Sequence, residues 1–187
     1  MKNESDGLTF YLNASKRIQN LNTTIKGGLK TSASHYQYLI QRQMMPVTRS
    51  FFSANLGVDT RIRQIVLISY AGAYQQYISE FDKTSPSDIR TMNHQLTTNF
   101  LLGKHIIVRA DLSYYYNDCN EGPQKNLCFI NAGISYRAGK LEYAINANNL
   151  LNTKRYSSTT FSTNTIYSMS YELRPTSVIV SVRFSLR

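Results

Sequence analysis

Three histidines, two cysteines and a scatter of carboxylates are the residues here that could ligate a metal or move a proton. His35, His94 and His105 stand far apart, on or beside segments of alternating polarity. No carboxylate falls at a spacing that would complete a zinc site around them. No glycine-rich phosphate loop and no nucleophile elbow occurs. The chain therefore reads as a protein that is not an enzyme and takes no cofactor. Asp111 and Glu142 have Arg109, Arg137 and Arg183 as nearby bases, so they read as paired charges on a polar face. With Lys26, Lys30 and Asn146, these five form a candidate set that could line a solute path. Cys119 and Cys128 flank residues 120–127, where two strands would face each other. Opposed residues of antiparallel neighbours come within disulfide range. A bridge between them stays open beside two unpaired thiols, with Cys128 sharing a face with Ile130 and Ala132.

The elements that would position these residues are strands. In Ser177 to Arg187, Val178, Val180, Val182, Phe184 and Leu186 fall on one face. Ser177, Ser181, Arg183, Ser185 and Arg187 fall on the other, with Ile179 the exception. Side chains alternate faces along a strand. The run of about eleven residues is the length a tilted strand needs to cross a bilayer. Composition agrees with strands. Of 187 residues, 14 are Tyr and 8 are Phe, and 17% are charged, against about 25% in ordinary soluble domains. The net charge of +10 suits nucleic acid, anionic lipid or a basic pore lining. The bases form no run of five or more, so a nucleic-acid partner is not expected.

About nine strands can be read. The first carries Leu8, Phe10, Leu12 and Ala14, and the second spans residues 23–38. The third spans 49–60 after a loop at 41–48 that contains Pro46. Further strands are read at 65–81, 89–102, 106–117, 127–138 and 141–149. A long polar stretch, 150–176, precedes the terminal strand. Turns near Gly103 and Gly139 are tight, whereas the connections near Pro46, Pro86 and Pro123 are long. Transmembrane barrels show this asymmetry. Tyr36, Tyr38, Tyr74, Tyr77, Tyr114 to Tyr116, and Tyr156 lie near the long-loop ends, where an outer aromatic girdle would stand. No apolar h-region opens the chain and no run of about eighteen apolar residues occurs, so neither a signal peptide nor a transmembrane helix is read here.

Between Gly133 and Arg187 the chain resembles the end of a TonB-dependent outer-membrane receptor, in particular the large receptors of the SusC/RagA type. The resemblance rests on Asn149-Leu150-Leu151-Asn152 followed by Tyr156, and on Tyr171-Glu-Leu-Arg-Pro-Thr-Ser177 opening the final strand. It implies an all-β, antiparallel, up-and-down transmembrane β-barrel segment spanning 1–187 as one C-terminal piece, without plug domain or signal peptide. With half or less of such a barrel, the expected form is an open, curved sheet. The implied place is the outer membrane of a Gram-negative cell, and the implied task is import of a glycan, siderophore or similar nutrient. Partners would be outer-membrane lipid and the barrel-assembly machinery, with TonB and a surface lipoprotein reached only through parts of the receptor outside these residues. Val178, Val180, Val182 and Phe184 would face lipid. A soluble β-sandwich or carbohydrate-binding module, burying the same faces in a core, and a passive porin-like barrel are the competing readings.

Overall fold

The computed structural model describes residues 5–40, 43–81, 87–120, 122–161 and 166–185. Among them the regular elements are strands, apart from two single-turn 3-10 helices at Gln19–Leu21 and Gly122–Lys125. The strands are β1 (Ser5–Ile18), β2 (Thr23–Ile40), β3 (Gln43–Ile62), β4 (Val66–Phe81), β5 (Ser87–Leu102), β6 (Ile106–Asn117), β7 (Asn126–Ala138), β8 (Leu141–Asn148), β9 (Arg155–Phe161), β10 (Ile166–Glu172) and β11 (Ser177–Phe184). Nine of them form one antiparallel up-and-down sheet in the order β1-β2-β3-β4-β5-β6-β7-β8-β11. The other two, β9 and β10, pair as a separate hairpin. β1 pairs only with β2, and β11 only with β8, so the curved sheet is open at both edges.

The register is stepped. Thr60 of β3 aligns through Ile68 and Thr98 to Ala110 and Ala132 of β7. Beyond that line β3 continues two residues to Ile62, β5 four to Leu102 and β7 six to Ala138. The sheet therefore shifts by one residue per strand. One residue rises about 3.3 Å and neighbouring strands lie about 4.8 Å apart, which gives a tilt of about 35°, within the barrel range. The tight turns step with this shift and share one rim of the sheet.

This single layer has almost no core. Among the described apolar residues only Val47, Ile89 and Leu127 are buried. The exposed surface is 13770 Å², whereas a globular protein of 21.4 kDa exposes about 9,100 Å².

Three expectations need correction. The loop read at 41–48 is mostly strand: β3 begins at Gln43 and carries Pro46 opposite Gln37. Among the described residues the pairing of β3 with β4 runs from Val47 opposite Phe81, and Pro46, which has no amide donor, stands just beyond it. Among the described residues the terminal strand ends at Phe184 after 8 residues, although Ser185 still donates to the Lys140 carbonyl at 3.0 Å, and Leu186 and Arg187 of the expected run lie outside the described residues. The stretch read as polar connection, 150–176, contains β9 and β10.

Candidate functional site

Directly opposed residues on neighbouring strands share a face of the sheet. Val178, Val180, Val182 and Phe184 lie opposite Ala147, Ile145, Tyr143 and Leu141, which lie opposite Ala132, Ile134, Tyr136 and Ala138. The line continues from Ile134 through Val108, Phe100 and Val66 to Ile62. Nearer the other edge, Leu12 lies opposite Leu29, Leu29 opposite Ala54, and Ala54 opposite Tyr74. One face of all nine strands is thus a continuous apolar belt. It is uncovered: Val178 is 65% exposed, Val180 70% and Leu8 77%. Monomeric soluble proteins rarely expose apolar patches beyond a few hundred Å².

On β6 the belt runs from Ile106 through Val108, Ala110 and Leu112 to Tyr114 and Tyr116. That length, at the tilt above, spans about 28 Å, close to the apolar band of a transmembrane barrel. His94 sits high on the belt, its ring stacked with those of Tyr70 and Tyr114, and its Nδ1 is 2.8 Å from the Tyr70 hydroxyl. Of the aromatics expected to form one girdle, only Tyr74, Tyr114 and Tyr116 stand on the belt. Tyr36, Tyr77 and Tyr115 fall one residue out of phase, opposite Val47, Phe51 and Leu127, and belong to the other face.

That other face holds every candidate lumen residue. Lys26 is 3.0 Å from Asp59, which also accepts from the Ser69 hydroxyl at 2.5 Å. Arg109 reaches both carboxylate oxygens of Asp111, at 2.7 and 3.0 Å, and Thr97 donates to the same group at 2.8 Å. Arg137 is 2.8 Å from Glu142, with Arg183 directly opposite Glu142 on the far side. Exposed pairs of this kind are screened by solvent and contribute little, so they organise the face more than they stabilise it. The amine of Lys30 lies between two rings, 5.2 Å from that of Tyr11 and 5.4 Å from that of Phe51. Arg109, Glu142, Asn146 and Arg183 converge on one shallow recess shared by β6, β7, β8 and β11. Gly133 makes room for Asn146, because a Cβ there would lie 2.5 Å from its Oδ1. Lys26 and Lys30 lie on β2, away from that recess, and among the described residues the latter is not joined to a carboxylate.

The sequence did not disclose what covers one end of this polar face. The β9–β10 hairpin folds over the end with the long connections. Asn117 donates to the Thr159 carbonyl at 3.0 Å, and the buried Asn120 donates to Ser157 at 2.9 Å and Gln124 at 3.1 Å. Tyr115 and Tyr156 meet edge-on at 6.2 Å. A recess of about 210 Å³ remains between sheet and hairpin, with Gln75, Asn93, Tyr115 and Tyr156 in its wall. The hairpin is tied at its root by Asn149 and Asn152, both in the left-handed region with φ 53 and 52. Asn149 donates to the carbonyls of Thr153 and Arg174 at 2.9 Å and accepts from the Thr153 amide at 2.9 Å. Asn tolerates that backbone better than most residues. The available signal was the spacing of these two asparagines. The strands themselves were hidden because Arg155–Phe161 is mostly serine and threonine and Ile166–Glu172 offers only a three-residue row of Tyr167, Met169 and Tyr171.

The bridge between Cys119 and Cys128 is not formed: both are free thiols. Cys128 lies on the belt opposite Tyr114, whereas Cys119 lies beyond the end of β6 and the Gly122–Lys125 turn fills the space between. Burial, then the hydrogen bond to Asp118, pushes the Cys119 thiol up to about 12. His35 meets the Thr48 hydroxyl at 3.1 Å, and His105 meets the Arg137 carbonyl at 2.9 Å, so the three histidines serve three separate places. Among the described residues no group of three or more His, Cys, Asp and Glu could hold a metal ion. Set against protein-family models, curated proteins and solved structures, the chain matches none.

Proposed function

We propose that this chain is a section of the wall of an outer-membrane β-barrel, the C-terminal part of a TonB-dependent receptor that imports a nutrient. The observation that carries the membrane reading is the belt: nine strands place their apolar residues on one uncovered face at one height, with no charged residue on β6 between Ile106 and Leu112 on that face. In water such a surface is unfavourable by about 25 cal/mol per Å². Against hydrocarbon it is the favourable side of a closed barrel. The polar face, with its paired charges and the amide- and tyrosine-lined recess, would then look into the lumen. Assignment to the receptor family rests on the asparagine motif at 149–152 and the segment 171–177, which here tie the hairpin back to the barrel wall. A β-sandwich would need a second layer over the belt; among the described residues the only extra layer, β9–β10, covers the polar face.

The experiment is folding of the purified full chain, followed by circular dichroism and protease resistance, in detergent micelles and in detergent-free buffer. Sheet content and protection are expected only in micelles. A folded, protease-resistant monomer in plain buffer would defeat the proposal.

A further inference from the structure

The rim that carries the tight turns has only one sign of charge. Lys16 and Arg17 precede the β1–β2 turn, Arg61 and Arg63 flank or form the β3–β4 turn, and Lys104 and Lys140 occupy the β5–β6 and β7–β8 turns. Residues 16–22, 61–65, 103–105 and 139–140 contain no carboxylate. The nearest acids, Asp59 and Glu142, are already paired with Lys26 and Arg137. Among the described residues, no side-chain hydrogen bond or ion pair joins Lys16, Arg17, Arg61, Arg63 or Lys104 to a partner. The opposite end mixes the signs, with Asp88, Asp118 and Glu172 among Arg90, Arg155 and Arg174.

Backbone geometry points the same way. Arg63 and Gln64 hold φ 46 and 57 at the centre of a β-turn closed by the Ile65 amide on the Ile62 carbonyl at 2.9 Å, within the three-residue connection between the paired Ile62 and Val66. Asn-Gly is the preferred pair for such a turn, and an arginine there is strained. The turn keeps its cation in spite of that strain. The cations also border the lower edge of the belt, since each tight turn steps with the one-residue shift of the strands.

We propose that this rim binds the phosphodiester head groups of anionic phospholipids in the leaflet that the lower edge of the belt meets. The inference rests on the membrane-wall reading above. Guanidinium and ammonium groups pair with phosphate oxygens, and basic residues beside an apolar surface are drawn to anionic leaflets, each by about fivefold at low salt.

The test is flotation of the full chain with vesicles of phosphatidylcholine alone or with about one third phosphatidylglycerol, a strongly anionic surface. The unmodified chain is expected to associate with both and to prefer the anionic vesicles by at least about tenfold, a preference that high salt removes. Combined Lys16→Gln, Arg17→Gln, Arg63→Gln and Lys104→Gln should abolish most of that preference and leave binding to phosphatidylcholine unchanged. Combined Lys125→Gln, Lys154→Gln, Arg155→Gln and Arg174→Gln remove the same charge from the other end and should leave the preference within about threefold. A milder pair confined to turn tips, Arg63→Gln with Lys104→Gln, should reduce it in proportion, with sheet content checked by circular dichroism. Equal losses in the two fourfold variants, or no preference in the unmodified chain, would overturn the proposal while the membrane reading stands. Failure to associate with either vesicle would bring down both.

Discussion

The two faces of the nine-stranded sheet share one backbone and one register, yet they solve opposite solvation problems. On β11, Val178, Val180 and Val182 project to the uncovered belt, while Ser181 and Arg183 project to a face of ion pairs and amides. The polar face is further closed at one end by the β9–β10 hairpin, which is joined to it by hydrogen bonds. If the proposed membrane reading holds, neighbouring positions on one strand should respond very differently to the same change, because the two faces would meet different solvents.

The largest expected effect separates the two cysteines, one at the covered end of the polar side and one on the belt. The Cys119 thiol is held protonated, first by burial and then by Asp118, with its titration moved from 9.0 to about 12. Its alkylation in the folded protein at pH 8 should be slower than in the unfolded chain by up to about a thousandfold. Because the folded value is raised, the associated stability is complete below about pH 9 and is lost between pH 9 and 12. Mass-spectrometric labelling against pH should show the folded rate still climbing above pH 9, where that of the unfolded chain levels off. A folded rate that levels off at the same pH would contradict this.

Next comes the belt itself. Val180→Arg should destabilise the protein in bilayers by about 2–4 kcal/mol, and Ser181→Arg, one residue away on the polar face, by less than about 1 kcal/mol. Urea titration of vesicle-folded protein reads both. The root of the hairpin ranks third. Asn149→Ala removes two donated bonds, one accepted bond and the residue best suited to φ 53, an expected loss of about 2 kcal/mol. Asn149→Gly should recover only the backbone part. The smallest difference contrasts two glycines. Gly133→Ala brings a Cβ to 2.5 Å from Asn146 Oδ1 on the polar face and should cost about 1 kcal/mol. Gly27→Ala on the belt finds its nearest atom at 3.8 Å and should be neutral or slightly stabilising.

Alternation made the wall legible. β6 begins and ends where its pattern does, at Ile106 and Asn117, because one side must be apolar along its whole length and a slip of one residue would invert it. The placement of Lys26, Arg109, Glu142 and Arg183 on one face follows from the same periodicity, whereas the open edges were expected from about nine strands set against the larger barrel of the resemblance. Where apolar alternation gives out, the reading failed. Pro46 suggested a loop, since nothing local shows that a strand continues through it opposite Gln37. The β9–β10 hairpin offered only one short apolar row, Tyr167, Met169 and Tyr171 on β10, and it is joined to the sheet through polar groups. The recess beneath it joins β4, β5, β6 and β9, positions that only the register brings together. Whether tyrosines joined the belt was decided by a single residue of phase, as Tyr115 and Tyr116 show.

The central claim is that the belt meets lipid, and site-directed spin labels along β11 test it most directly. With Cys119 and Cys128 replaced by serine, single nitroxides are placed in turn at positions 178 to 183 of protein folded in vesicles. Collision with oxygen, which concentrates in hydrocarbon, is compared with collision with a water-soluble nickel complex. The account predicts a two-residue period, with oxygen favoured at 178, 180 and 182 and nickel at 179, 181 and 183. Equal access at all six positions, or oxygen maxima at the odd ones, would contradict it.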